Sequence, residues 1–374
     1  MTKKYLIGID IGGTNTKLGL FQIQLLRSGI NENSNYLSKD NNIIYIIEHN
    51  NLFEFKNLSN TIFSSLKDRK ELDREYFEIS LVAKIDKFIS DFEITSGDLL
   101  AISVATPGFP DNVRKVIISG SPNLPFLVDI NFAKLFERYQ LKGKDFCKKD
   151  ILLDLVNDVT AQCFYEQKIN KSLFVENDGP ALLLALGTGI GGGIFSKDEV
   201  FMGKNGWAAE FGHIPIYFSE MKGEVRKCNC GKENCSEVFG SVNAYAKELK
   251  NRSISLSPED ALEIYMKIIS LKADPGNKDK SVIFEITRKW IEAVSSLCGS
   301  LINTFNPAYI VFSGAICQKT FLIDILSENT KKYCFSSFYQ EVKFLKSENP
   351  KFAGAFGAAI FILKKEVDTI IKYL

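Results

Sequence analysis

The sequence predicts a mixed α/β protein made of two related domains. Three observations carry this expectation. Residues 5–21 read as strand, Gly-rich turn, strand; residues 181–200 repeat that layout; and helix-period segments alternate with short apolar strands between and after the two hairpins. Each hairpin heads one half of the chain, so the expected arrangement is two α/β domains facing one another across a cleft, with each glycine-bearing tip pointing into it. A chain of 374 residues has room for about two domains of ~150 residues.

The first hairpin is Leu6-Ile7-Gly8-Ile9-Asp10-Ile11, then Gly12-Gly13-Thr14-Asn15, then a strand over 17–21. Residues 22–69 are Asn-rich and weakly patterned, and read as extra strands or loops. Leu72, Phe77, Leu81, Ile85, Phe88 and Ile89 give 71–90 a helical period, and the strand 100–105 that follows ends at Thr106-Pro107-Gly108. Asn157 or Asp158 caps a helix over 159–169. In the second hairpin a strand over 183–186 leads into the glycine run 187–193 and a strand at Ile194-Phe195. Helices are expected over 257–270 and 282–305, then a strand over 309–312 ending at Ser313-Gly314-Ala315, and a closing helix over 353–374. Pro122 and Pro125 place a boundary near 123–129. The expected division is a smaller domain of 1–125 plus about 357–374, and a larger one of 126–356 holding the cysteine motif.

Charge narrows the function. Lys and Arg number 46 against 45 Asp and Glu, a formal charge of +1, which argues against a nucleic-acid or membrane-clamping surface. With 45% apolar and 24% charged residues the composition is globular, and the apolar runs at 43–47 and 181–186 fall far short of the ~18 residues that span a bilayer. No signal peptide precedes the first strand, so the expected location is the cytoplasm. Eight cysteines are too sparse for a disulfide scaffold, and clustered ones read as metal ligands.

Four segments carry chemistry. Asp10, Gly12, Gly13, Thr14 and Asn15 have the parts of a nucleotide phosphate site: backbone N–H groups exposed by glycine, a hydroxyl, and a carboxylate able to hold a Mg²⁺-bound water. The competing reading is a tight turn whose Asp satisfies local amides. Gly187-x-Gly189-x-x-Gly192 matches the dinucleotide fingerprint in letters only, because an extended segment follows where a helix is required. No Walker loop occurs, since Lys144, Lys204 and Lys232 each follow Gly without a Ser or Thr after them. Asn157-Asp158 stands ahead of a helix, where a carboxylate could take a proton from an attacking hydroxyl, or merely cap the helix. Finally, Cys228, Cys230 and Cys235 follow His213, one of only two histidines, and this S₃N set suits a closed, structural tetrahedral Zn²⁺ that would pin the Glu210 loop to the Glu237 loop. Cys147, Cys163, Cys298, Cys317 and Cys334 are scattered and read as packing residues; His49 reads as a surface residue.

Taken in order, the pieces resemble the ROK family (repressor, open reading frame, kinase) over almost the whole chain. They are Asp10-Ile-Gly-Gly-Thr-Asn15, Thr106-Pro-Gly108, Ser121-Pro-Asn-Leu-Pro125, Asn157-Asp158, Leu186-Gly-Thr-Gly-Ile-Gly-Gly-Gly193, Glu210-Phe-Gly-His213, Cys228-Asn-Cys-Gly231, Cys235-Ser-Glu237 and Asn306-Pro307. The resemblance implies an actin-like, RNase-H-like duplicated two-domain fold whose cleft holds a sugar and ATP. By position it makes Asp158 the base, and gives Asn157, Glu210, His213 and Glu237 the other sugar hydroxyls. It also makes Gly12, Gly13, Thr14, Gly187, Thr188 and Gly189 the cradle of the ATP phosphates and sets Gly314 against the adenosine. One nitrogen of His213 would ligate zinc while the other meets the sugar.

The chain departs from the family pattern at Trp207, Ala209, Asn234, Ser236 and Ser313-Gly314-Ala315. The activity implied is ATP- and Mg²⁺-dependent phosphorylation of a hexose, glucose at its 6-hydroxyl first, by a protein that is a homodimer. The alternatives are an N-acetylmannosamine or N-acetylglucosamine kinase, which the same residues serve, and a sugar-responsive regulator without catalysis. Regulators of the family carry a helix-turn-helix before the phosphate motif; Asp10 follows Met1 by nine residues, and the 22–69 segment has little of the charge a DNA reader needs.

Overall fold

The computed structural model describes residues 4–13, 15–27, 36–39, 42–56, 69–95, 97–120, 124–138, 151–271, 278–348 and 351–373. Thr14, Ser121-Pro122-Asn123 and Cys147 lie outside the described residues. The contacts divide the chain into two units: Met1–Ile169 with Gly203–Trp207 and Lys351–Leu374, and Asn170–Met202 with Ala208–Pro350.

In the first unit β1 (Lys4–Ile11), β2 (Asn15–Arg27), β3 (Tyr36–Lys39) and β4 (Asn42–Lys56) precede α1 (Arg69–Asp91) and β5 (Leu99–Thr106). A two-residue ribbon, β6 (Pro110–Asp111) with β7 (Val116–Ile117), then leads to α2 (Phe132–Arg138), β8 (Leu152–Asn157) and α3 (Asp158–Ile169). The sheet order is β3-β4-β2-β1-β5-β8. β2 and β4 add antiparallel to β1, whereas β5 and β8 run parallel to it. β5 is buried along its whole length, as a parallel strand covered on both faces must be, and its sequence Leu-Leu-Ala-Ile-Ser-Val-Ala-Thr is correspondingly apolar. Ile7, Ile9 and Ile11 share a core with Phe77, Leu81 and Ile85 of α1.

The second unit runs through α4 (Leu173–Glu176), β9 (Ala181–Leu186), β10 (Ile190–Phe195), α5 (Glu237–Gly240), α6 (Val242–Asn251), α7 (Pro258–Ser270) and α8 (Lys278–Phe305). It closes with β11 (Tyr309–Ser313), α9 (Thr320–Thr330), α10 (Ser336–Glu341) and β12 (Lys343–Lys346). Its sheet order is β10-β9-β11-β12, with β10 antiparallel and the other three mutually parallel. Set beside β2-β1-β5-β8 of the first unit, order and directions are the same, so the predicted duplication is present in the topology. Ser241 and Ser257 cap α6 and α7, accepting from the amides of Ala244 and Asp260 at 3.1 Å each. Trp290 of α8 stacks on Tyr245 with ring centroids 5.0 Å apart and donates its indole N–H to the Gly240 carbonyl at 2.8 Å.

The chain then returns to the first unit as α11 (Ala353–Lys365) and α12 (Val367–Tyr373). α11 lies on the side of β1 that carries Gly8, where a Cβ would sit 1.9 Å from the Ala355 carbonyl oxygen. Among the described residues no helix is long and apolar enough to cross a membrane.

Three expectations need correction. The crossing to the second unit comes at 169/170, not 125/126, because β8 pairs with β5 from Ala101↔Leu152 to Thr106↔Asn157; the two prolines mark a turn and nothing larger. The return begins at Lys351 rather than about 357, and the closing helix is broken at Glu366. Gly191, Gly192 and Gly193 lie inside β10 rather than in the turn, paired with Ala185, Leu184 and Leu183 of β9; residue 192 has no room for a side chain, because a Cβ there would meet the Phe211 ring at 2.4 Å and the Ala209 carbonyl at 2.2 Å.

Candidate active site

Both sheets present their candidate groups at the carboxyl ends of parallel strands, where open α/β sheets bind ligands. In the first unit Asp10 pairs with Ala105, and Thr106 pairs with Asn157, so Asp10, the Thr106-Pro107-Gly108 turn and Asn157-Asp158 share one edge. Asp10 is buried, with Lys17 Nζ 3.2 Å from Oδ2. Burial pushes its carboxyl above the ordinary value, and the Lys17 charge and hydrogen bond pull against that. Gly12 donates its amide to the Asn15 carbonyl at 2.9 Å, and a Cβ on Gly13 would meet nothing, which leaves the tip open to a ligand.

Asn157 caps α3 in the manner expected: its Oδ1 accepts from the amides of Val159 and Thr160 at 3.0 and 3.1 Å, while Nδ2 donates to the Gly108 carbonyl at 3.2 Å. The cap leaves Asp158 as the first residue of the helix, half-buried. Its carboxylate therefore stands at the positive end of the α3 dipole.

In the second unit the turn between β9 and β10 is Gly187-Thr188-Gly189. Gly187 donates to the Gly189 carbonyl at 3.0 Å and accepts from the amide of Val242, the first residue of α6, at 2.9 Å; Thr188 is exposed. Glu237 opens α5 and accepts from the Ile190 amide through Oε2 at 3.0 Å. Gly314, at the end of β11, has φ +117°, and a Cβ there would sit 2.0 Å from the Leu186 carbonyl oxygen, so only glycine fits beside the turn. Glu210 occupies the centre of an inverse γ-turn (φ −69°, ψ 61°) closed by the Phe211 amide on the Ala209 carbonyl at 2.7 Å, which thrusts its side chain outward. Desolvation of its carboxyl raises Glu210 above the usual range; His213 opposes this and the nearby Glu237 charge adds to it.

His213 joins two sets of groups. Its Nδ1 is 3.6 Å from Cys228 Sγ, and its Nε2 is 4.0 Å from Glu210 Oε2. His213 and Glu210 keep 35% and 41% of their side chains open, enough to reach a ligand. Cys230 and Cys235 are 3.6 Å apart at sulfur, and all four donor atoms lie within 4.8 Å of one another. A tetrahedron with Zn–S of about 2.3 Å has edges of roughly 3.8 Å, so donor type and spacing fit that ion. Burial pushes the Cys235 thiol up to about 12 and raises Cys228, whereas the Lys232 amide draws Cys230 down. A divalent cation would stabilise all three thiolates.

The ROK family matches residues 64–365, most of the chain. The chain belongs to the ROK family. A glucokinase of Thermotoga maritima is 24% identical over 379 aligned positions, covering 98% of this chain and 99% of that one. A xylose repressor of Bacillus subtilis is 20% identical over 78% of this chain and 68% of the repressor. Among solved structures, a ROK family glucokinase from Streptomyces griseus in complex with glucose and AMPPNP superposes with a TM-score of 0.63 at 19% identity, over 96% of this chain and 98% of that one. Like the ROK sugar kinases among its structural neighbours, the chain has the actin-like two-domain fold.

Within this ROK chain three of the departures fall at constrained positions. Asn234 (φ +57°) and Ala209 (φ +67°) both sit in the left-handed region, and Asn234 Oδ1 also accepts from the Arg226 amide at 2.9 Å. Ser236 is buried and donates to the Phe211 carbonyl at 2.8 Å, tying the cysteine loop to the Glu210 turn. Sequence reasoning missed Lys17, although the hairpin register sets it directly opposite Asp10. It also missed an open pocket of about 400 Å³ lined by Glu263, Lys267, Gln318, Lys319 and Thr320. A single 3₁₀ turn (Ile316–Gln318) connects Gly314 to that pocket.

Proposed function

We propose that the protein is an ATP-dependent hexose kinase, acting first on glucose at the 6-hydroxyl. The observation that carries this reading is Asp158, a carboxylate set by the Asn157 cap at the head of α3 in a ROK chain; a regulator that only binds sugar needs no base there. The hydroxyl oxygen bonds to the γ-phosphorus, the bond from that phosphorus to the bridging oxygen breaks to release ADP, and the hydroxyl proton passes to Asp158. Glu210, His213 Nε2, Glu237 Oε1 and the second Asn157 amide hydrogen hold the remaining hydroxyls.

Gly12, Gly13, Thr14 and Asn15 would take phosphate oxygens, as would Gly187, Thr188 and Gly189, the roles that the family resemblance implies for them. Gly314 and the pocket beside Gln318 receive the adenosine. Asp10 is the residue that would hold Mg²⁺, whose charge would offset that of the phosphates when it is bound. His213, Cys228, Cys230 and Cys235 would hold a structural Zn²⁺, and His213, ligating through Nδ1, would keep Nε2 free for a sugar hydroxyl.

A coupled ADP assay across glucose, mannose, fructose, N-acetylglucosamine and N-acetylmannosamine tests the reading and separates hexose from N-acetylhexosamine. Turnover on at least one is expected, and none on any rejects it. Asp158→Asn is expected to lose roughly 10²- to 10⁴-fold in kcat. Turnover at the unsubstituted rate would remove Asp158 from the mechanism.

A further inference from the structure

We infer that Trp207 is a positioning residue for the sugar end of the site and a built-in reporter of hexose binding. This rests on the kinase reading of Asn157 and Asp158. The stretch Gly203-Lys204-Asn205-Gly206-Trp207 belongs to the first unit, although its neighbours in sequence belong to the second. Gly203 and Gly206 have φ of +68° and +80°, residues 203–205 are exposed, and Trp207 is its one apolar side chain.

The indole N–H donates to the Pro110 carbonyl at 3.1 Å, and the ring lies 5.4 Å from that of Phe109. Phe109 in turn rests on Gly120, where a Cβ would be 2.9 Å from the ring. The Phe109 amide donates to the Ser119 carbonyl at 2.8 Å, and its own carbonyl accepts from Ile118 at 2.9 Å. The other side of this loop is stitched to β8 and α3. Gly108 accepts from Asn157 Nδ2 at 3.2 Å; Asn112 donates to the Leu155 carbonyl at 2.5 Å and accepts from the Leu155 amide at 2.7 Å. Pro110 therefore lies one residue from Phe109 and two from the carbonyl that holds Asn157. Releasing Trp207 loosens the loop that Asn157 uses as its abutment, and with it the setting of Asp158.

The test compares the intact protein with Trp207→Phe, which keeps a ring against Phe109 but loses the N–H, and Trp207→Ala, which loses both. Expected for Trp207→Phe is a fall of roughly three- to tenfold in kcat/KM for hexose, with the KM for ATP and the urea midpoint unchanged, and a larger fall for Trp207→Ala. Only two tryptophans are present, and Trp290 is 2% exposed and stacked on Tyr245, so emission of the intact protein minus that of Trp207→Phe isolates Trp207. That difference is expected to change on adding hexose.

Unchanged hexose kinetics in both variants overturns the inference. So does equal loss toward hexose and ATP accompanied by a lower urea midpoint, which marks a purely structural anchor. If the intact protein binds hexose by calorimetry without turning it over, the kinase reading fails separately, and a weaker hexose Kd in Trp207→Phe still supports the positioning role. Absence of hexose binding in the intact protein overturns both.

Discussion

Asp10 is 5% exposed, faces Lys17 at 3.2 Å, and lies so close to α11 that a Cβ on Gly354 would be 2.5 Å from its Cγ. Because burial raises its folded-state pKa above the ordinary 3.8, the folded chain binds more protons here than the unfolded chain as pH climbs from that value. The stability supplied by the protonated form is complete below that value and lost as pH rises through the folded pKa. Asp10→Asn is therefore expected to remove this part of the decline, so that its urea midpoint gains on the unsubstituted protein with rising pH. Its affinity for Mg²⁺-ATP should meanwhile fall roughly 10- to 100-fold. A midpoint difference independent of pH would show that burial does not govern this carboxyl.

Ala209 is a second residue under constraint. An alanine at φ +67° costs about 1 kcal/mol, so Ala209→Gly is expected to raise stability by up to about that amount in urea denaturation; a loss would mean the methyl packs productively. The identity of residue 209 was readable as a departure in the sequence. Its strain was not, because φ is set by the γ-turn around Glu210.

The clustering of His213, Cys228, Cys230 and Cys235 was legible because thiols and imidazole are chemically distinct and the three cysteines are close in sequence. What spacing could not reveal is how the loop connects onward. Glu237 reaches the Ile190 amide across 47 residues, and Ser236 reaches the Phe211 carbonyl across 25, contacts that exist only once β10 and α5 have packed. Those links tie the loop to the Glu210 turn and to the start of β10, which on the proposed reading would make it part of the sugar-facing surface. Cys235→Ser is expected to abolish zinc recovered with the purified protein, destabilise it by about 3 kcal/mol or more, and weaken hexose binding through His213. Unchanged hexose affinity in the metal-stripped protein would sever that link, and a zinc content near zero with full activity would refute the zinc assignment. A second element-level device is the contact of α11 with α3. At Gly357 a Cβ would lie 1.7 Å from the Ala161 carbonyl oxygen, in the helix that begins at Asp158. Gly357→Ala is expected to cost about 3 kcal/mol and to lower kcat with it, because backbone faces backbone and neither side can yield cheaply. A neutral effect on the urea midpoint would show that the helices separate without penalty.

Across the whole molecule the duplicated hairpin was the strongest signal in the sequence, and the matched strand orders β2-β1-β5-β8 and β10-β9-β11-β12 are its outcome. The division between units was not legible, since it depends on β8 choosing β5 as its partner, a pairing that leaves no local mark. β3 and β4 were equally faint: β3 is only four residues long, and β4 runs Ile43-Ile44-Tyr45-Ile46-Ile47 and then His49-Asn50-Asn51 without clean alternation. Charge is the remaining whole-molecule property with consequences. A formal charge of +1 leaves little excess of cations to displace counterions from a duplex, although a ROK repressor matches 78% of this chain. A protein that neutralised six to ten phosphates would lose roughly 10³- to 10⁵-fold in affinity between about 50 and 200 mM salt. The expected result here is no gel shift of double-stranded DNA at about 150 mM salt, with or without hexose. Hexose kcat/KM should also change little over the same salt range, since on the proposed reading the nucleotide would be held mainly by backbone amides and Mg²⁺. Hexose-sensitive retention of a duplex whose affinity falls steeply with salt would instead favour the regulator, and Asp158→Asn would then leave that retention intact.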